Sequence, residues 1–346
     1  MNEATDHHST PSMKAMVTKV LLWALGLAAL LGVVGYVAFQ VSPWPSALLI
    51  RMAFDREAET TAQALEKHVP PGVAAQRNER YDPADNDAYL DVFYPAEIAN
   101  SERSLPAIVW IHGGGWVSGS KDQIANYAKI LAGKGYTVAG VDYSIAPGSI
   151  YPTPIRQVNT ALSYLAANAK RLHADSSRFV LAGDSGGAHI AAQLANAIST
   201  PSYAKALGIT PAIQRAQLRG MILYCGAYDV TRVNLDGSFG GFLTTVLWSY
   251  SGGKDFMTNP RFATASVIHY VSAEFPPAFI SAGNADPLLP QSRAFADAVA
   301  GRGVRVDSLF FPDGYKPALP HEYQFNLDTE AGQLALERSL QFLATL

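Results

Sequence analysis

The sequence predicts an α/β domain in which helices cover both faces of a mostly parallel sheet, with a small cap, preceded by one transmembrane helix. From about residue 86, short apolar runs alternate with segments of helical periodicity. Strands that are apolar along their whole length are typical of a parallel sheet buried on both faces. An uncharged run near the N-terminus and one long excursion between two strands stand outside this pattern.

The predicted transmembrane helix covers residues 20–41. No charge interrupts the run from Val20 to Phe39, which as a helix spans about 30 Å, the thickness of a bilayer core. Lys14 and Lys19 precede it, so the positive-inside rule predicts a cytoplasmic tail over 1–19 and an extracytoplasmic remainder, periplasmic in a bacterium. A signal peptide, with a shorter apolar region and a small-x-small cleavage site, and a buried core helix are the weaker alternatives.

Residues 42–84 are predicted to link the membrane helix to the main domain. Within them, 46–68 mix leucines with charged residues, which favours an amphipathic helix lying on the domain or over its site. The Pro-Pro-Gly sequence at 70–72 ends that helix. The main α/β domain is predicted to cover 85–346.

The main domain is divided into strands and helices by its apolar periodicity. The first strand, 88–96, alternates like an exposed strand, whereas the later ones are continuously apolar. Residues 230–272 are too long for a simple connection and carry many glycines and aromatics, so they are a candidate lid over an apolar pocket or a self-packed surface excursion. The further strands are predicted at 106–111, 136–144, 178–185, 218–226, 276–286 and 305–312, and the helices at 122–135, 154–170, 186–198 and 329–346.

A candidate nucleophile follows the strand at 178–185. Residues 183–187 read Gly-Asp-Ser-Gly-Gly and match G-x-S-x-G between an apolar strand and a helix. The sharp turn needs small residues on both sides of Ser185, and the helix N-terminus behind it favours a developing negative charge. Asp184 is expected to point away from the site and to hold the turn through a backbone hydrogen bond.

A glycine-rich loop follows the strand at 106–111. It reads His112-Gly-Gly-Gly-Trp116, and consecutive glycines leave backbone N–H groups free to stabilise a tetrahedral oxyanion. His112 stands at the base of the loop and is expected to fix it rather than to carry protons. Trp116 is a candidate substrate-binding residue, with a packing role as the equal alternative.

A serine nucleophile needs a histidine base and an acid that orients it, in the chain order Ser, acid, His. His321 is the best candidate base because it follows the last strand, whereas His189 lies on the helix after Ser185 and is expected to point off the site. Asp286 follows the strand at 276–286 and is the best candidate acid. Asp229, one strand earlier, is the competing candidate, or else a turn residue that opens the long excursion.

These motifs resemble the hormone-sensitive-lipase-like branch of the α/β-hydrolases and the neighbouring feruloyl-esterase-like (BD-FAE-like) carboxylesterases. The resemblance covers 85–346 and rests on HGGGW, VDYSIAP, GDSGG, NADPL and LPHEYQF, in that order. It implies an α/β-hydrolase fold in which Ser185 is the nucleophile, Asp286 the acid and His321 the base.

The resemblance also implies an oxyanion hole made by the backbone N–H groups of Gly114, Gly115 and Gly186. The sequence departs from the family in its Y-R-L-A-P-E-like stretch, where Ser144 and Gly148 replace the usual Arg and Glu. Further departures are Gly186 in place of the usual Ala after the serine, Ala188 after the second elbow glycine, and the N-terminal membrane helix.

The expected activity is hydrolysis of carboxylic esters by a membrane-anchored serine esterase that uses no cofactor. Net charge of −3 does not favour a nucleic-acid partner, and a single cysteine excludes an intrachain disulfide and a cysteine metal cluster. No cluster with metal-ligand spacing is seen in the sequence. Amide or formamide hydrolysis, as in an arylformamidase, is the alternative enzyme reaction; a binding protein on an inactive hydrolase scaffold and a peptidase are weaker alternatives.

Overall fold

A computed structural model describes residues 12–233, 235–237 and 239–346. The chain divides into two compact units, one ending at Ser46 and the other covering Ala47–Leu346. Helix α1, Met13–Val41, is the first element. Its stretch Met16–Val41 is long and apolar enough to cross a membrane, and none of its most apolar window is buried. That exposure argues against the core-helix alternative, while a signal sequence passes the same length and composition test.

Helix α2, Trp44–Leu65, covers most of the segment that was predicted to be an amphipathic helix over 46–68. A 3₁₀ turn, Glu66–His68, completes it before the Pro-Pro-Gly sequence. Strand β1, Val73–Arg80, then pairs antiparallel with the next strand. The sheet therefore begins inside the predicted linker rather than after residue 84. Sequence reasoning missed β1 because it is an edge strand rich in polar residues, with no buried residue along its length.

The second unit is built on one eight-stranded sheet in the order β1-β2-β4-β3-β5-β6-β7-β8. Strand β2 runs antiparallel to both of its neighbours, and all later pairs are parallel, so the mostly parallel sheet that was predicted is confirmed. The remaining strands are β2 Tyr89–Pro95, β3 Leu105–Ile111, β4 Thr137–Val141, β5 Ala174–Asp184, β6 Leu218–Tyr224, β7 Ala278–Ala282 and β8 Val306–Phe310.

Strand β2 differs from the exposed strand that the alternation at 88–96 predicted. All five residues from Leu90 to Tyr94 are buried. The alternation reflects a single carboxylate, Asp91, which is enclosed but paired with Arg77 Nε at 2.7 Å and Lys121 Nζ at 3.4 Å. Because its charge is balanced by cations, the polar residue is tolerated in a strand that is covered on both faces.

Helices cover both faces of the sheet, as predicted. Helices α4 and α5 contribute to one apolar cluster, while α3 and α9 contribute to the other. The serine elbow is placed by α5, whose fifteen residues are all buried. The helices after α2 are α3 Ala125–Ala132, α4 Thr153–Ala167, α5 Ser185–Ser199, α6 Pro201–Leu207, α7 Gly240–Ser251, α8 Leu289–Ala300 and α9 Glu330–Leu343.

In the described part of the long excursion at 230–272 there are one helix and two short 3₁₀ turns. Helix α7 buries Val246, Leu247 and Tyr250, and the 3₁₀ turns are Phe262–Ala265 and Val267–Tyr270. Its aromatics pack on one another and on the rest of the domain. This packing shows how the excursion is held, and its use as a lid stays a prediction.

Candidate active site

Ser185 stands at a sharp turn between the end of β5 and the start of α5. Its φ of +49° lies in the left-handed region, a strained conformation for a residue with a side chain. A Cβ at Gly187 would lie 2.1 Å from the Ile111 carbonyl oxygen, and one at Gly183 would lie 2.7 Å from the same atom. Only glycines fit at these two positions, so the small residues of the motif allow β5, β3 and α5 to approach closely at the serine.

The glycine loop lies directly against this turn. The carbonyl oxygen of Gly114 accepts the N–H groups of Val117 and Ser118, each at 3.1 Å, and this closes the loop. A Cβ built at Gly186 would lie 3.2 Å from the Trp116 backbone nitrogen. The backbone of the loop and the residue after the serine are therefore brought together, as an oxyanion hole would require.

His112 fixes the loop, as the sequence predicts. Its ring is buried, and its Nδ1 lies 2.9 Å from the Gly113 carbonyl oxygen. The Tyr143 ring stacks on it at 4.3 Å, and the Tyr143 hydroxyl donates to the His112 carbonyl oxygen at 2.8 Å. Burial lowers the pKa of His112 to about 4. The ring is therefore neutral at physiological pH and is a structural residue.

Asp286 and His321 meet at the edge of the sheet where β7 and β8 end. His321 Nδ1 lies 2.9 Å from Asp286 Oδ2, and the Asp286 side chain is fully buried. The other carboxylate oxygen accepts the Leu288 N–H at 2.7 Å, which fixes its orientation. Both partners are placed by the ends of neighbouring strands, where working residues of a parallel sheet collect.

Asp229, the competing candidate acid, lies in a different environment. Its Oδ1 accepts the N–H and the hydroxyl of Thr231, at 3.0 and 2.6 Å, and its Oδ2 lies 3.7 Å from His269 Nε2. The Thr231 bonds lower the pKa of Asp229 against the opposing effect of burial. This geometry is that of a turn residue opening the long excursion.

The Ser185 hydroxyl makes no hydrogen bond to His321 in the part of the chain that the structure describes. Ser185 is nevertheless next to Asp184, and Asp184 contacts Glu322, the residue after His321. Hydrogen bonds of catalytic groups are often long before substrate binds and tighten in the reacting complex. In the structure Asp286 is hydrogen-bonded to His321. A hydrogen bond between Ser185 and His321 would form only when substrate binds.

Sequence reasoning missed two neighbours of His321. The first is Cys225, which follows β6 and forms a hydrogen bond with the imidazole. Burial works to lower the pKa of His321, but the hydrogen bond and the charge of the Asp286 carboxylate raise it above its usual range. The clue in the sequence was position: Cys225 stands, like Asp286, directly after a strand at the same sheet edge.

These groups also form the one set of potential metal ligands among the described residues. Donor atoms of Cys225, Asp286 and His321 lie within 4.8 Å of one another. Burial raises the pKa of the Cys225 thiol to about 12, so the sulfur is protonated at neutral pH, whereas a metal needs the thiolate. The carboxylate and imidazole also already bond to each other. The donor set therefore fits a metal poorly.

The second missed neighbour is Glu322, which has a φ of +58°. Its Oε1 lies 3.7 Å from His321 Nε2, and its carboxyl group is hydrogen-bonded to that of Asp184. Asp184 is buried and also accepts the Trp110 indole N–H at 2.8 Å. Burial and the neighbouring Glu322 charge raise the pKa of Asp184 well above its usual range. Asp184 therefore keeps its proton to higher pH than an exposed aspartic acid.

The Asp184 side chain therefore does more than hold its own turn. It accepts the backbone N–H of Gly113 in the glycine loop and bonds to the loop that carries His321. It is the polar junction between the elbow, the glycine loop and the base loop. Sequence reasoning had the side chain pointing away, because the partners lie 71 and 138 positions from Asp184 in the chain.

Trp116 packs against the site from the side of helix α7. Its ring stacks on Tyr250 at 4.8 Å, nearly parallel, and meets the edge of His189 at 5.2 Å. It also lies against Gly186, since a Cβ there would be 3.3 Å from the indole. Trp116 is thus buried and packed, and its indole N–H has no hydrogen-bond partner among the described residues.

His189 is remote from this chemistry, in line with the prediction that it points off the site. Its ring is fully buried, with Nε2 2.8 Å from the Ala265 carbonyl oxygen. Burial lowers the pKa of His189 to about 4. The imidazole ties α5 to the long excursion and stays neutral.

Apolar side chains from two helices close over Gly115. A Cβ at Gly115 would lie 3.6 Å from both Phe242 and Val246 of α7, and 3.8 Å from Phe54 of α2. The Phe54 and Phe242 rings have centroids 5.5 Å apart. The glycine loop is therefore covered by an apolar wall drawn from the excursion and from the first helix of the domain.

Comparison with known proteins decides the family. The BD-FAE family model matches residues 90–298, more than half of the chain. The chain belongs to the BD-FAE family. Carboxylesterase NlhH of Mycobacterium tuberculosis is 30% identical over 264 residues, covering 74% of this chain and 78% of NlhH. Esterase LipQ of the same organism is 27% identical over 234 residues, covering 66% of this chain and 53%, about half, of LipQ.

Solved structures confirm the α/β-hydrolase fold. Esterase B from Lactobacillus rhamnosis has a TM-score of 0.71 at 22% identity, covering 87% of this chain and 96% of its own. EstE1, a carboxylesterase from a metagenomic library, has a TM-score of 0.67 at 19% identity, covering 89% and 98%. The BD-FAE match and the similarity to carboxylesterase NlhH place the chain among the carboxylic ester hydrolases.

Proposed function

We propose that this BD-FAE protein is a membrane-anchored serine esterase in which Ser185 attacks the ester carbonyl. The observation that carries the proposal is the Asp286–His321 hydrogen bond of 2.9 Å, at the sheet edge that also holds the strained serine turn. A buried acid that fixes one imidazole nitrogen leaves the other free to take a proton from a serine hydroxyl.

The mechanism follows from what each group can do. His321 Nε2 removes the Ser185 proton as Oγ attacks, and the carbonyl oxygen becomes an oxyanion. Backbone N–H groups of Gly114, Gly115 and Gly186 stabilise that charge, each worth about 2.7–4 kcal/mol in comparable sites. His321 then protonates the leaving alcohol, and a water molecule, activated by the same imidazole, hydrolyses the acyl-enzyme.

Asp286 keeps His321 in the tautomer with Nδ1 protonated and stabilises the imidazolium that forms. Its full burial and its second bond, to the Leu288 N–H, prevent it from rotating away. The apolar wall over Gly115 excludes water from the forming oxyanion, which strengthens the hydrogen bonds made to it.

Helix α1 is proposed to be an uncleaved anchor, with its N-terminal tail in the cytoplasm and the hydrolase unit outside it. Support comes from the 26 residues of Met16–Val41, of which none in the most apolar window is buried, and from the lysines that precede the apolar run. Resistance of the full chain to alkaline carbonate extraction tests the anchor, and reporter fusions before and after α1 test its orientation.

The esterase activity is tested with the detergent-solubilised full chain on p-nitrophenyl esters from acetate to palmitate. Ser185→Ala is expected to remove turnover, whereas Ser199→Ala, at the other end of α5, keeps it. An organophosphonate is expected to label Ser185 alone, as read by peptide mass spectrometry. Equal turnover by the wild type and Ser185→Ala would refute the proposal, and N-formyl arylamines would then test the amide alternative.

A further inference from the structure

Helix α2 has an inner face that is bonded to the hydrolase unit. Arg51 donates from Nε to the Val117 carbonyl oxygen at 2.7 Å and from Nη2 to the Ala146 carbonyl oxygen at 3.0 Å. Asp55 accepts the Ser118 hydroxyl at 2.6 Å. These bonds fix how α2 is rotated on the domain, so the side chains on its outer face are held toward the surroundings.

The outer face changes character along the helix. In the N-terminal half it presents Leu48, Leu49 and Met52, which are 45, 59 and 70% exposed. One to three turns later the exposed residues are charged or polar: Arg56, Glu57, Glu59, Thr60 and Gln63. Three large apolar side chains this exposed on one rigid helix mark an interaction surface rather than the scattered apolar residues of an ordinary surface.

The occupant of this surface follows from what precedes it in the chain. Helix α1 ends at Val41 and α2 begins at Trp44, so only two residues separate the proposed membrane span from α2. Met52 follows Trp44 by about 12 Å of helix, and the two-residue link reaches at most about 10 Å. The apolar half of the outer face therefore lies within reach of the bilayer interface, and the charged half is the part farther along the chain.

We propose that the apolar half of the outer face of α2, made by Leu48, Leu49 and Met52, lies in the interface of the lipid bilayer and that the enzyme hydrolyses esters dissolved there. This inference rests on the proposed esterase function and on the proposed anchor. A polar-to-apolar gradient along one helix face suits the boundary between headgroups and acyl chains.

The same helix connects this surface to the reaction site. Phe54, two residues after Met52, lies on the opposite side of α2, where it belongs to the apolar wall over Gly115 and contacts Phe242 of α7. An ester that leaves the bilayer at this surface therefore has about one helix diameter, roughly 10 Å, to cross before it reaches the oxyanion loop. This arrangement favours substrates with long acyl chains or other apolar groups over small soluble esters.

The position of α2 is tested without relying on activity. Full-length Leu49→Cys, Met52→Cys and Glu59→Cys proteins, each labelled with an environment-sensitive dye, are reconstituted in phosphatidylcholine–phosphatidylglycerol vesicles. The wild-type protein serves as the control for background labelling, because Cys225 is buried. Dyes at 49 and 52 are expected to emit at shorter wavelength and to be quenched by lipid-borne nitroxides, while the dye at 59 stays in water.

The proposal would be overturned if the dyes at 49, 52 and 59 all showed the emission and the lack of lipid quenching expected in water. Protection of 49 and 52 in native membranes but not in pure lipid vesicles would also overturn it, and would point to a protein partner. Failure of the full chain to co-float with vesicles would refute the anchor instead, so the two failures are distinguishable.

The substrate source is tested with two matched triple variants. Replacing Leu48, Leu49 and Met52 by Gln is expected to reduce hydrolysis of a vesicle-dissolved long-chain ester by about tenfold, since interfacial binding scales with apolar area. Hydrolysis of p-nitrophenyl acetate should not change. The control replaces Arg56, Glu57 and Glu59 by Gln and should preserve both activities. An unchanged long-chain rate in the first variant refutes this part of the proposal, whereas loss of both activities in Ser185→Ala reports on the esterase itself.

Discussion

Neighbouring glycines of the oxyanion loop should respond very differently to the same added methyl group. At Gly114 a Cβ would lie 2.3 Å from the Ser118 carbonyl oxygen and 2.6 Å from its carbon, both backbone atoms. Contacts of this kind need roughly 3.5 Å, so Gly114→Ala forces the loop to shift by about 1 Å. At Gly115 the nearest atoms are 3.6 Å away and belong to side chains.

The backbone conformations point in the same direction. Gly114 has a φ of +97°, where residues with a side chain are rarely found, whereas Gly115, at +58°, has the φ of the left-handed region. A shift of about 1 Å takes a backbone N–H out of hydrogen-bond range of the oxyanion, and loss of one such donor costs about 10²–10³ in kcat. The alanine at Gly115 costs only about 1–2 kcal/mol of stability.

The assay is kcat/KM for p-nitrophenyl butyrate together with the melting temperature of each variant. Gly114→Ala is expected to lose at least about a hundredfold in kcat. Gly115→Ala is expected to melt earlier but to keep its rate within about threefold where it is fully folded, because the oxyanion donors do not move. Equal losses at the two glycines, or an active Gly114→Ala enzyme, would refute the assignment of this loop as a rigid donor of N–H groups.

Three further changes test the polar groups around the base. Asp286→Asn should lower kcat by roughly 10⁴-fold with little change in KM, because His321 loses the partner that sets its tautomer. Cys225→Ala should leave the acid limb of the kcat/KM profile in place, because the Cys225 pKa of about 12 keeps the thiol uncharged at the pH of that limb. Glu322→Gln should reduce the fall in stability as pH rises above about 4. Asp184 has a raised pKa in the folded state, so its contribution is present in acid and is lost as pH rises through that pKa, and removing the Glu322 charge makes the rise smaller.

Each of these three predictions would be contradicted by a specific result. An Asp286→Asn enzyme with near-normal kcat would remove Asp286 from the mechanism. An acid limb that moves to lower pH in Cys225→Ala would mean that the sulfur is ionised beside the base. Melting temperatures of wild type and Glu322→Gln that stay parallel from acid to alkaline pH, with Glu330→Gln at an exposed position of α9 as the control, would mean that Glu322 does not raise the pKa of Asp184.

Sequence reasoning predicts well those parts of the fold that are determined by residues close together in the chain. Apolar runs marked β3 to β8, and chain order alone separated Asp286 from Asp229, which the structure engages in a turn. Strand β1 had no such signal, because an edge strand with polar residues on both sides resembles a linker. The buried carboxylate of Asp91 was mistaken for a sign of exposure, since its cations come from elsewhere in the chain.

The site shows the same division between local and distant causes. The glycine motifs are short and their geometry follows from their own residues, so the loop and the elbow were predictable. The Asp184–Glu322 pair and the Cys225–His321 contact depend on three loops meeting at one sheet edge. No spacing in the sequence encodes a meeting of this kind, and the pair turns an expected turn residue into the junction of the site.

A shortened form of this protein must keep strand β1. A protein begun at residue 85 would lack β1, leaving the backbone of β2 unpaired along an edge that pairs from Val73↔Pro95 to Arg80↔Tyr89. It would also remove Arg77 and the Asn78 N–H, which Asp91 accepts at 2.7 Å, leaving this buried carboxylate with the weaker contact to Lys121 at 3.4 Å. Such a fragment should aggregate on expression, since an open strand edge recruits other chains. A fragment begun at Ala47 keeps β1 and should stay in solution.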